Sequence, residues 1–418
     1  MNNFKTRLTT AIATGSVLLH ALAPVTFAQT TIEISGNGAG SDNSVNVTRT
    51  IKTTVNQTNN ADVKNNVEAD ADTGDNDANF NTGGNVTVST GNANITANVS
   101  NDLNKNVAQV DCCTAAGNTD VKVSGNGAFS DNTVNLNQNS TTTLNQNNRA
   151  EVDNNVDADA DTGDNDAGFN TGNGSVTIRT GNATVNTTVN TTANVNWAQV
   201  GGNQGAAGNV SLMILDNGAG SDNLINATLS NTTNLYQYNN ADVKNNVEAD
   251  ADTGDNDANF NTGDGDVVVD TGNAEVNATI DNMVNFNAAD VDCGCVFGGL
   301  SAKIAGNGAE PGYSSDDDNV IRVTLAGIQN YSQDNISKLN NHLDELTTNT
   351  GDNEASKNTA GSNGDPSVVT GNAKVNAGVS NEGNHNILGN VTLPELPEID
   401  LDFNWSAFWA FFGMFLHN

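Results

Sequence analysis

Apolar and polar residues alternate along much of the chain with a period of two. Val63, Val67 and Ala69 fall on one side of an extended segment, while Lys64 and Glu68 fall on the other. This alternation is typical of a half-buried β-strand, because successive side chains of a strand point to opposite faces. Glycines separate the alternating runs, and proline is almost absent from them, so nothing obstructs backbone ladder bonds. We therefore predict an all-β fold.

Three short motifs recur in the same order with a spacing of about 90 residues, which indicates internal repetition. Gly-Asn-Gly-Ala begins at Gly36, Gly125 and Gly306, and Asp216-Asn217-Gly218-Ala219 replaces it in the third copy. Thr-Gly-Asp-Asn begins at Thr73, Thr162, Thr253 and Thr350, and Thr-Gly-Asn-Ala begins at Thr90, Thr180, Thr271 and Thr370. We assign repeats 1 to 4 to residues 29–122, 123–213, 214–303 and 304–390, the fourth being divergent.

The alternating runs place mostly small or β-branched residues on their apolar side. A two-sheet sandwich usually needs larger core residues to fill the space between its sheets. A coil of stacked rungs, by contrast, is well filled by Ala, Val, Thr and stacked Asn. We therefore favour a repeat-built β-solenoid, with tandem β-sandwich domains, one per repeat, as the alternative.

One stretch of the fourth repeat breaks the period of two. Its apolar residues are spaced three, four and three apart, which is a helical period, and they are Ile336, Leu339, Leu343 and Leu346. Asp334 or Asn335 would cap such a helix at its start. We predict either a short helix that covers the open strand edge of the last repeat or an ordinary loop insertion at the same place.

Residues 1–28 have the features of a secretory signal peptide. Lys5 and Arg7 give a positive start, residues 11–27 are apolar, and Thr26-Phe27-Ala28 places small residues where a signal peptidase inspects the chain. We predict cleavage after Ala28 and a secreted or cell-surface location. A buried N-terminal helix is the alternative.

The chain is strongly acidic, with 49 Asp and Glu against 15 Lys and Arg and a net charge of −34 in 418 residues. Nucleic acids and anionic lipid headgroups bind through Lys and Arg, which displace their counterions. We therefore predict no nucleic-acid partner. Cations or a cationic surface suit this charge better.

The acidic residues concentrate in one run of each repeat, around a glycine. The first three repeats share four aspartates at constant spacing: Asp70, Asp72, Asp75, Asp77; Asp159, Asp161, Asp164, Asp166; and Asp250, Asp252, Asp255, Asp257. Ca²⁺ prefers such oxygen ligands, so this run is a candidate metal site and Ca²⁺ the candidate cofactor. The run matches neither known calcium loop, and Thr347 and Asn349 replace the first two aspartates in repeat 4. The alternative is a solvated strand face.

Four cysteines lie at the ends of two repeats, Cys112 and Cys113 in the first, Cys293 and Cys295 in the third. An even number in an exported chain favours disulfides, although neighbouring cysteines pair only with local strain. Local disulfides, links to another chain or free thiols, and a metal site remain open. A Cys₄ zinc site would require the two loops to converge.

The C-terminal end is rich in aromatic residues. A Pro-containing acidic linker, residues 391–402, with Pro394 and Pro397, precedes a tail at residues 403–418. The tail contains Phe403, Trp405, Phe408, Trp409, Phe411, Phe412 and Phe415. It is too short to span a bilayer as a helix, but aromatic rings favour the membrane interface. The tail is predicted to contact the membrane, dock on a partner, or fold back as a cap on the solenoid.

The sequence offers little for catalysis. His20 lies in the signal peptide, and the remaining histidines, His342, His385 and His417, fall in the fourth repeat or the tail. The three well-matched repeats therefore supply no histidine base. Some β-solenoid enzymes cleave acidic polysaccharides with carboxylates, but a surface this negative repels such substrates. We predict that the protein is not an enzyme.

The Asn-rich unit from Thr73 to Gly83, followed by Val86 to Ala93, resembles the repeats of uncharacterised exported proteins of candidate-phyla bacteria over most of residues 33–390. This resemblance implies a surface or secreted repeat protein. Residues 36–45 are more weakly similar to curlin-type amyloid repeats in their Gly and Asn turn spacing. The regular Gln ladder of curlins is not evident here, which argues against fibre formation.

Two functions follow as hypotheses. The first is a structural or adhesive protein of the cell surface, tethered by its tail and contacting the cell envelope or other surface proteins. The second is a soluble secreted module that binds Ca²⁺ or another ligand.

Overall fold

The computed structural model describes residues 29–110, 118–201, 208–292, 299–308, 319–359 and 366–389. Within these ranges the chain forms sixteen β-strands and no helix, which confirms the all-β prediction. The strands are β1 Thr30–Ser35, β2 Asp42–Asp72, β3 Val86–Ser89, β4 Ala93–Val110, β5 Thr119–Ser124, β6 Asp131–Asp161, β7 Val176–Arg179, β8 Ala183–Gly201, β9 Asn209–Leu215, β10 Asp222–Asp252, β11 Val267–Asp270, β12 Ala274–Asp292, β13 Gly299–Ala305, β14 Asn319–Asn349, β15 Ser367–Val369 and β16 Ala373–Leu388.

The strands form four parallel sheets, each of which takes every fourth strand of the chain. The sheet orders are β1-β5-β9-β13, β2-β6-β10-β14, β3-β7-β11-β15 and β4-β8-β12-β16. The chain therefore follows the same path four times, and each pass stacks on the one before. This is a repeat-built β-solenoid, as predicted, and it excludes separate sandwich domains. We name the passes coils 1 to 4, formed by β1–β4, β5–β8, β9–β12 and β13–β16.

Equivalent residues of the repeats pair directly with one another across the coils. Val63 pairs with Val152, Val152 with Val243, and Val243 with Leu339. The second strand of each coil has 31 residues, which corresponds to a length of about 100 Å. The like-with-like pairing follows from the sequence, because repeats of nearly equal length keep the same phase of inward and outward residues.

The core lies between two layers of sheet. β4 returns antiparallel along β2, so that Asn65 faces Asn101 and Asn59 faces Asn106 across the interior. Small and β-branched residues fill the space between the layers; Val185 and Val276, for example, are fully buried. These residue types suit a narrow interior, because larger side chains would force the layers apart.

The helix expected in the fourth repeat is not formed, and that prediction is wrong. The segment lies in β14, where Ile336 points outward and is 54% exposed. Leu339 and Leu343 face inward with an even spacing. Leu346 follows after three residues because a β-bulge between the partners of Val247 and Ala249 inserts one extra residue into β14. The helical spacing therefore results from one outward residue and one bulge.

Glycine is required where the chain turns after each long strand. A side chain on Gly163 would place its Cβ 2.1 Å from the carbonyl oxygen of Gly254, and Gly74 meets Gly163 at the same distance. The repeated Thr-Gly-Asp-Asn motif thus contains a glycine because the coils approach each other closely at this turn.

Several predictions fall on residues outside the described ranges. These are the signal peptide, residues 1–28; the cysteines Cys112, Cys113, Cys293 and Cys295; the linker, residues 391–402; and the aromatic tail, residues 403–418.

Candidate functional site

The predicted calcium residues meet at the turn that follows each long strand, where they stack in register. Asp70, Asp159 and Asp250 form one column, which ends at Thr347 in coil 4. Asp72, Asp161, Asp252 and Asn349 form a second column, and Asp77, Asp166, Asp257 and Glu354 form a third. We name these columns, together with Asp75, Asp164, Asp255 and Asp352, the acidic ladders.

One acidic ladder has a structural role in the turn. Asp72 Oδ1 accepts a hydrogen bond from the Gly74 N–H at 2.6 Å, and Asp161 accepts the same bond from Gly163 at 2.5 Å. Asn349 Oδ1 accepts from the Gly351 N–H at 2.8 Å in coil 4. An amide oxygen therefore serves as well as a carboxylate, which explains why asparagine stands here in the fourth repeat.

A second acidic ladder occupies a strained backbone position. Asp75, Asp164, Asp255 and Asp352 have φ values of 58°, 54°, 57° and 52°. Asp and Asn tolerate this left-handed region better than most residues, because their short polar side chains bond to the local backbone. The conserved spacing of aspartates within this chain thus has a backbone explanation that needs no metal ion.

Stacking makes the carboxylates of the inner coils harder to ionise. The pKa of Asp161 is raised to about 6: burial is the largest cause, the bond from Gly163 opposes it, and the charges of Asp252, Asp164 and Asp72 add to it. Burial and then the neighbouring carboxylates also raise the pKa of Asp159, Asp164 and Asp255. Burial, then Glu354 and Asp166, raise the pKa of Asp257.

The acidic ladders do not form a coordination shell. Among the described residues, no group of three or more His, Cys, Asp or Glu lies close enough to hold one metal ion. The carboxylates are strung along the solenoid axis at the spacing of neighbouring strands instead of converging on one point. The structure therefore brings the predicted residues together as columns and favours diffuse attraction of cations over chelation.

Buried asparagines form stacks of the kind expected for a coil of rungs, at positions that the sequence did not single out. Asn59 donates to Asn148 at 3.0 Å, Asn148 to Asn239 at 3.1 Å, and Asn239 to Asn335 at 3.0 Å. On the facing layer, Asn106, Asn196, Asn287 and Asn386 are linked in the same sense at 2.9–3.0 Å. Each amide can both donate and accept, so a column of them satisfies itself inside an apolar interior.

A glutamine ladder lies beside these asparagines. Gln146 donates to Gln57 at 2.7 Å, Gln237 to Gln146 at 2.7 Å, and Gln333 to Gln237 at 2.6 Å. The expectation that this chain lacks such a ladder is wrong. In the sequence, this ladder corresponds to a Gln-x-Asn triplet that occurs once per repeat. The pattern is not visible within a single repeat, because each repeat contains only one copy.

Phenylalanines stack on the outside of the acidic turn. Phe80 and Phe169 lie 5.1 Å apart between ring centroids, and Phe169 and Phe260 lie 4.8 Å apart. In coil 4, Lys357 takes the equivalent position, with its Nζ 4.6 Å from the centre of the Phe260 ring. The stack therefore ends in a cation–π contact at coil 4 and in a free ring face at coil 1.

Comparison of the chain with protein-family models, curated proteins and solved structures finds no match. The described part of the chain has no helix that is long and apolar enough to cross a membrane. The function is therefore argued from the arrangement of the ladders and of the two solenoid ends.

Proposed function

We propose that this chain is an exported structural or adhesive protein of the cell surface, and not an enzyme. The observation that carries the proposal is the set of continuous amide ladders, which run through all four coils and join them into one scaffold. Ladders of this kind stabilise a long scaffold, which is what a structural protein requires.

The polar residues of the repeats have bonding roles inside the solenoid. Asn148 and Asn239 are fully buried in the ladders, and Asp72 and Asp161 close turns. The histidines of the described residues lie on the exposed coil 4, where His342 contacts Asp344 at 3.0 Å and His385 contacts Glu382 at 3.5 Å. These contacts resemble surface ion pairs, so the chemistry of the repeats supports a structural role.

The charge suits a protein that works outside the cell. A net charge of −34 keeps a long scaffold soluble and directs it to cationic components of the envelope or to other surface proteins. Residues 1–28 would direct export, and the tail from Phe403 to Phe415 would attach the scaffold to the membrane interface.

A soluble secreted module that binds Ca²⁺ or another ligand is the second candidate. The stacked carboxylates favour it, because they create a strongly negative turn. The turn roles of Asp72 and Asp75 weigh against it, since both have a backbone explanation.

Cell fractionation tests the first function. We expect the full chain in the envelope fraction, released by mild detergent, and a variant lacking residues 403–418 in the medium. Deletion of residues 2–28 is the control and should leave the protein in the cytoplasm. Recovery of the full chain only in the medium would favour the second candidate, and recovery in the cytoplasm would contradict both.

A further inference from the structure

The two ends of the solenoid differ in their exposed surface. Val99 in coil 1 is 7% exposed, whereas its equivalent in coil 4, Val379, is 48% exposed. The exposed apolar side chains of coil 4 are Leu300, Ile304, Leu325, Ile328, Ile336, Val368, Val369, Val375, Val379, Ile387 and Leu388. Exposed apolar side chains along an open strand edge form a surface that another chain can cover.

No described element pairs with the outer edge of coil 1 or of coil 4, since β2 and β14 end one sheet and β4 and β16 end another. Half of the backbone N–H and C=O groups of an end strand point away from the sheet. Each end therefore offers long rows of backbone donors and acceptors in the same parallel geometry that joins the coils.

The asparagine ladders give the solenoid a direction. Asn59 donates to coil 2, and within the described residues its Oδ1 receives no hydrogen bond. Asn335 receives a bond from Asn239, and among the described residues it donates only within coil 4, to His385 and Asn386. Coil 1 thus ends in a side-chain acceptor and coil 4 in a side-chain donor.

The hydrogen bonds of the glutamine ladder run in the opposite direction to those of the asparagine ladder. Its two ends are also a donor and an acceptor, so they can pair with each other. Its bonds run from Gln333 toward Gln57, so coil 4 ends in the acceptor Oε1 of Gln333 and coil 1 in the donor Nε2 of Gln57. Coil 4 of one molecule placed on coil 1 of another would continue both ladders. Two like ends would face acceptor with acceptor in one ladder and donor with donor in the other.

The outer face would also form several favourable contacts at the same register, which outnumber the like-charge contacts of Glu354 with Asp77 and of Asp352 with Asp75. Phe80 is 74% exposed and ends the ring stack at coil 1, where Lys357 of another molecule would cover it as Lys357 covers Phe260. Lys338 pairs with Asp242 at 3.3 Å, and Asp62 holds the equivalent position in coil 1. Thr347 and Asn349 would meet Asp70 and Asp72 without adding a carboxylate to either column.

We propose that coil 4 of one molecule pairs in parallel register with coil 1 of the next, so that the protein assembles head-to-tail into filaments. The contact joins two different surfaces, so it does not close and adds molecules without limit. This inference deepens the proposed structural function and rests on it.

Microscopy of the purified mature chain, residues 29–418, tests the assembly. We expect unbranched filaments whose length increases with protein concentration, with a rise of about 19 Å per molecule from four coils about 4.8 Å apart. A monomer at all concentrations would overturn the proposal. Filaments that appear only after residues 391–418 are removed would also overturn it, because the tail would then cover coil 4.

Disulfide trapping tests the register. In a chain whose four native cysteines are replaced by serine, Asp62→Cys and Lys338→Cys introduce thiols at outward, exposed positions. Within one molecule they lie three coils apart, about 14 Å, too far for a disulfide. Across the proposed contact they are direct partners. We expect mild oxidation to give a ladder of covalent multimers.

Three matched controls separate the alternatives. Each single variant should stay monomeric under denaturing electrophoresis, and Asp62→Cys combined with Asn330→Cys should not cross-link, because Asn330 is exposed on the same strand as Lys338 but eight residues out of register. Dimers from Asp62→Cys alone would overturn the proposal in favour of a head-to-head contact. Circular dichroism verifies that each variant folds. These tests use purified protein, so their failure is distinguishable from a wrong cellular location.

Discussion

The inner and outer faces of the long strands stack the same way, with opposite consequences. On the inner face, Asn148 accepts from Asn59 and donates to Asn239, so each added coil satisfies another amide. At the acidic turn, Asp161 lies between Asp72 and Asp252, and its pKa rises to about 6 through burial and then their charge. In-register stacking therefore repeats the same side-chain interaction in every coil. It stabilises columns of amides, which gain hydrogen bonds, and it destabilises columns of ionised carboxylates, which repel one another.

Removing one coil as a unit should be the largest change that the fold tolerates. Deleting residues 123–213 joins Lys122 to Ile214, and Ile214 is the register partner of Val123, so the strands stay in phase. We expect a folded solenoid of three coils with a lower melting temperature, because stacked units contact mainly their neighbours. Circular dichroism provides the measurement.

A deletion of residues 123–212 is the control for this experiment. It shifts residues 213–215 by one position relative to their neighbours, so it should lower the melting temperature further than the in-phase deletion does. Loss of all β-sheet signal in the in-phase deletion would contradict the stacking of the coils.

Adjacent asparagines on the two faces allow a sharper comparison. Asn154 is fully buried, accepts from Asn65 at 2.7 Å and donates to Asn245 at 2.7 Å. Asn155 points outward and donates to Asn66 at 2.9 Å. We expect Asn154→Ala to lower the free energy of unfolding by about 3 kcal/mol, because it leaves buried amides without partners. Asn155→Ala should cost less than about 1 kcal/mol. Equal decreases in the free energy of unfolding, measured by urea denaturation, would show that the buried ladder contributes no more to stability than the exposed one.

The carboxylate columns should respond in the opposite sense. The folded pKa of Asp161, about 6, lies above the unfolded value of about 3.9, so protonation favours the folded state. The stabilisation that protonation of Asp161 contributes is therefore fully present below the unfolded pKa, and it is lost as the pH rises through about 6. We expect the melting temperature to rise when the pH falls from about 7 to about 4.5.

Asp161→Asn should raise the melting temperature at neutral pH and flatten this pH dependence. The substitution keeps the turn bond, because Asn349 makes the same bond to Gly351 in coil 4. A lower melting temperature at neutral pH would show that the charge of Asp161 stabilises the fold, contrary to the raised pKa.

Much of the fold is readable from the sequence because it depends on local patterns. The alternation around Val63 and the motifs at Thr73 and Thr90 are enough to predict stacked β-coils. The role of Asn59 was missed because its partner lies a whole repeat away, at Asn148. The bulge beside Glu345 was misread as a helix, since one inserted residue imitates a helical spacing.

The acidic run is a candidate metal site in the sequence, with a solvated strand face as the alternative, for a similar reason. Its spacing is visible in the sequence, but its use is decided by geometry: Asp72 bonds to Gly74, and Asp75 has a left-handed backbone. Residue types that suit Ca²⁺ also suit tight turns, so type and spacing alone do not separate the two.

Divalent ions should give the smallest effect. Because no three carboxylates of the described residues converge on one point, we expect Ca²⁺ and Mg²⁺ at equal ionic strength to raise the melting temperature equally by screening. A larger shift with Ca²⁺ that disappears in Asp161→Asn would restore the predicted calcium site, since a specific ligand stabilises the native state by mass action.

Equivalent residues of the four repeats lie in adjacent rungs, and a distance within one molecule tests this directly. Spin labels at Asp62→Cys and Lys338→Cys, in a chain without native cysteines and diluted with unlabelled protein, report the distance between the first and last coils within one molecule. We expect Cα atoms about 14 Å apart, three rungs of about 4.8 Å. A distance of roughly 60 Å or more, as expected for a row of separate domains, would contradict it.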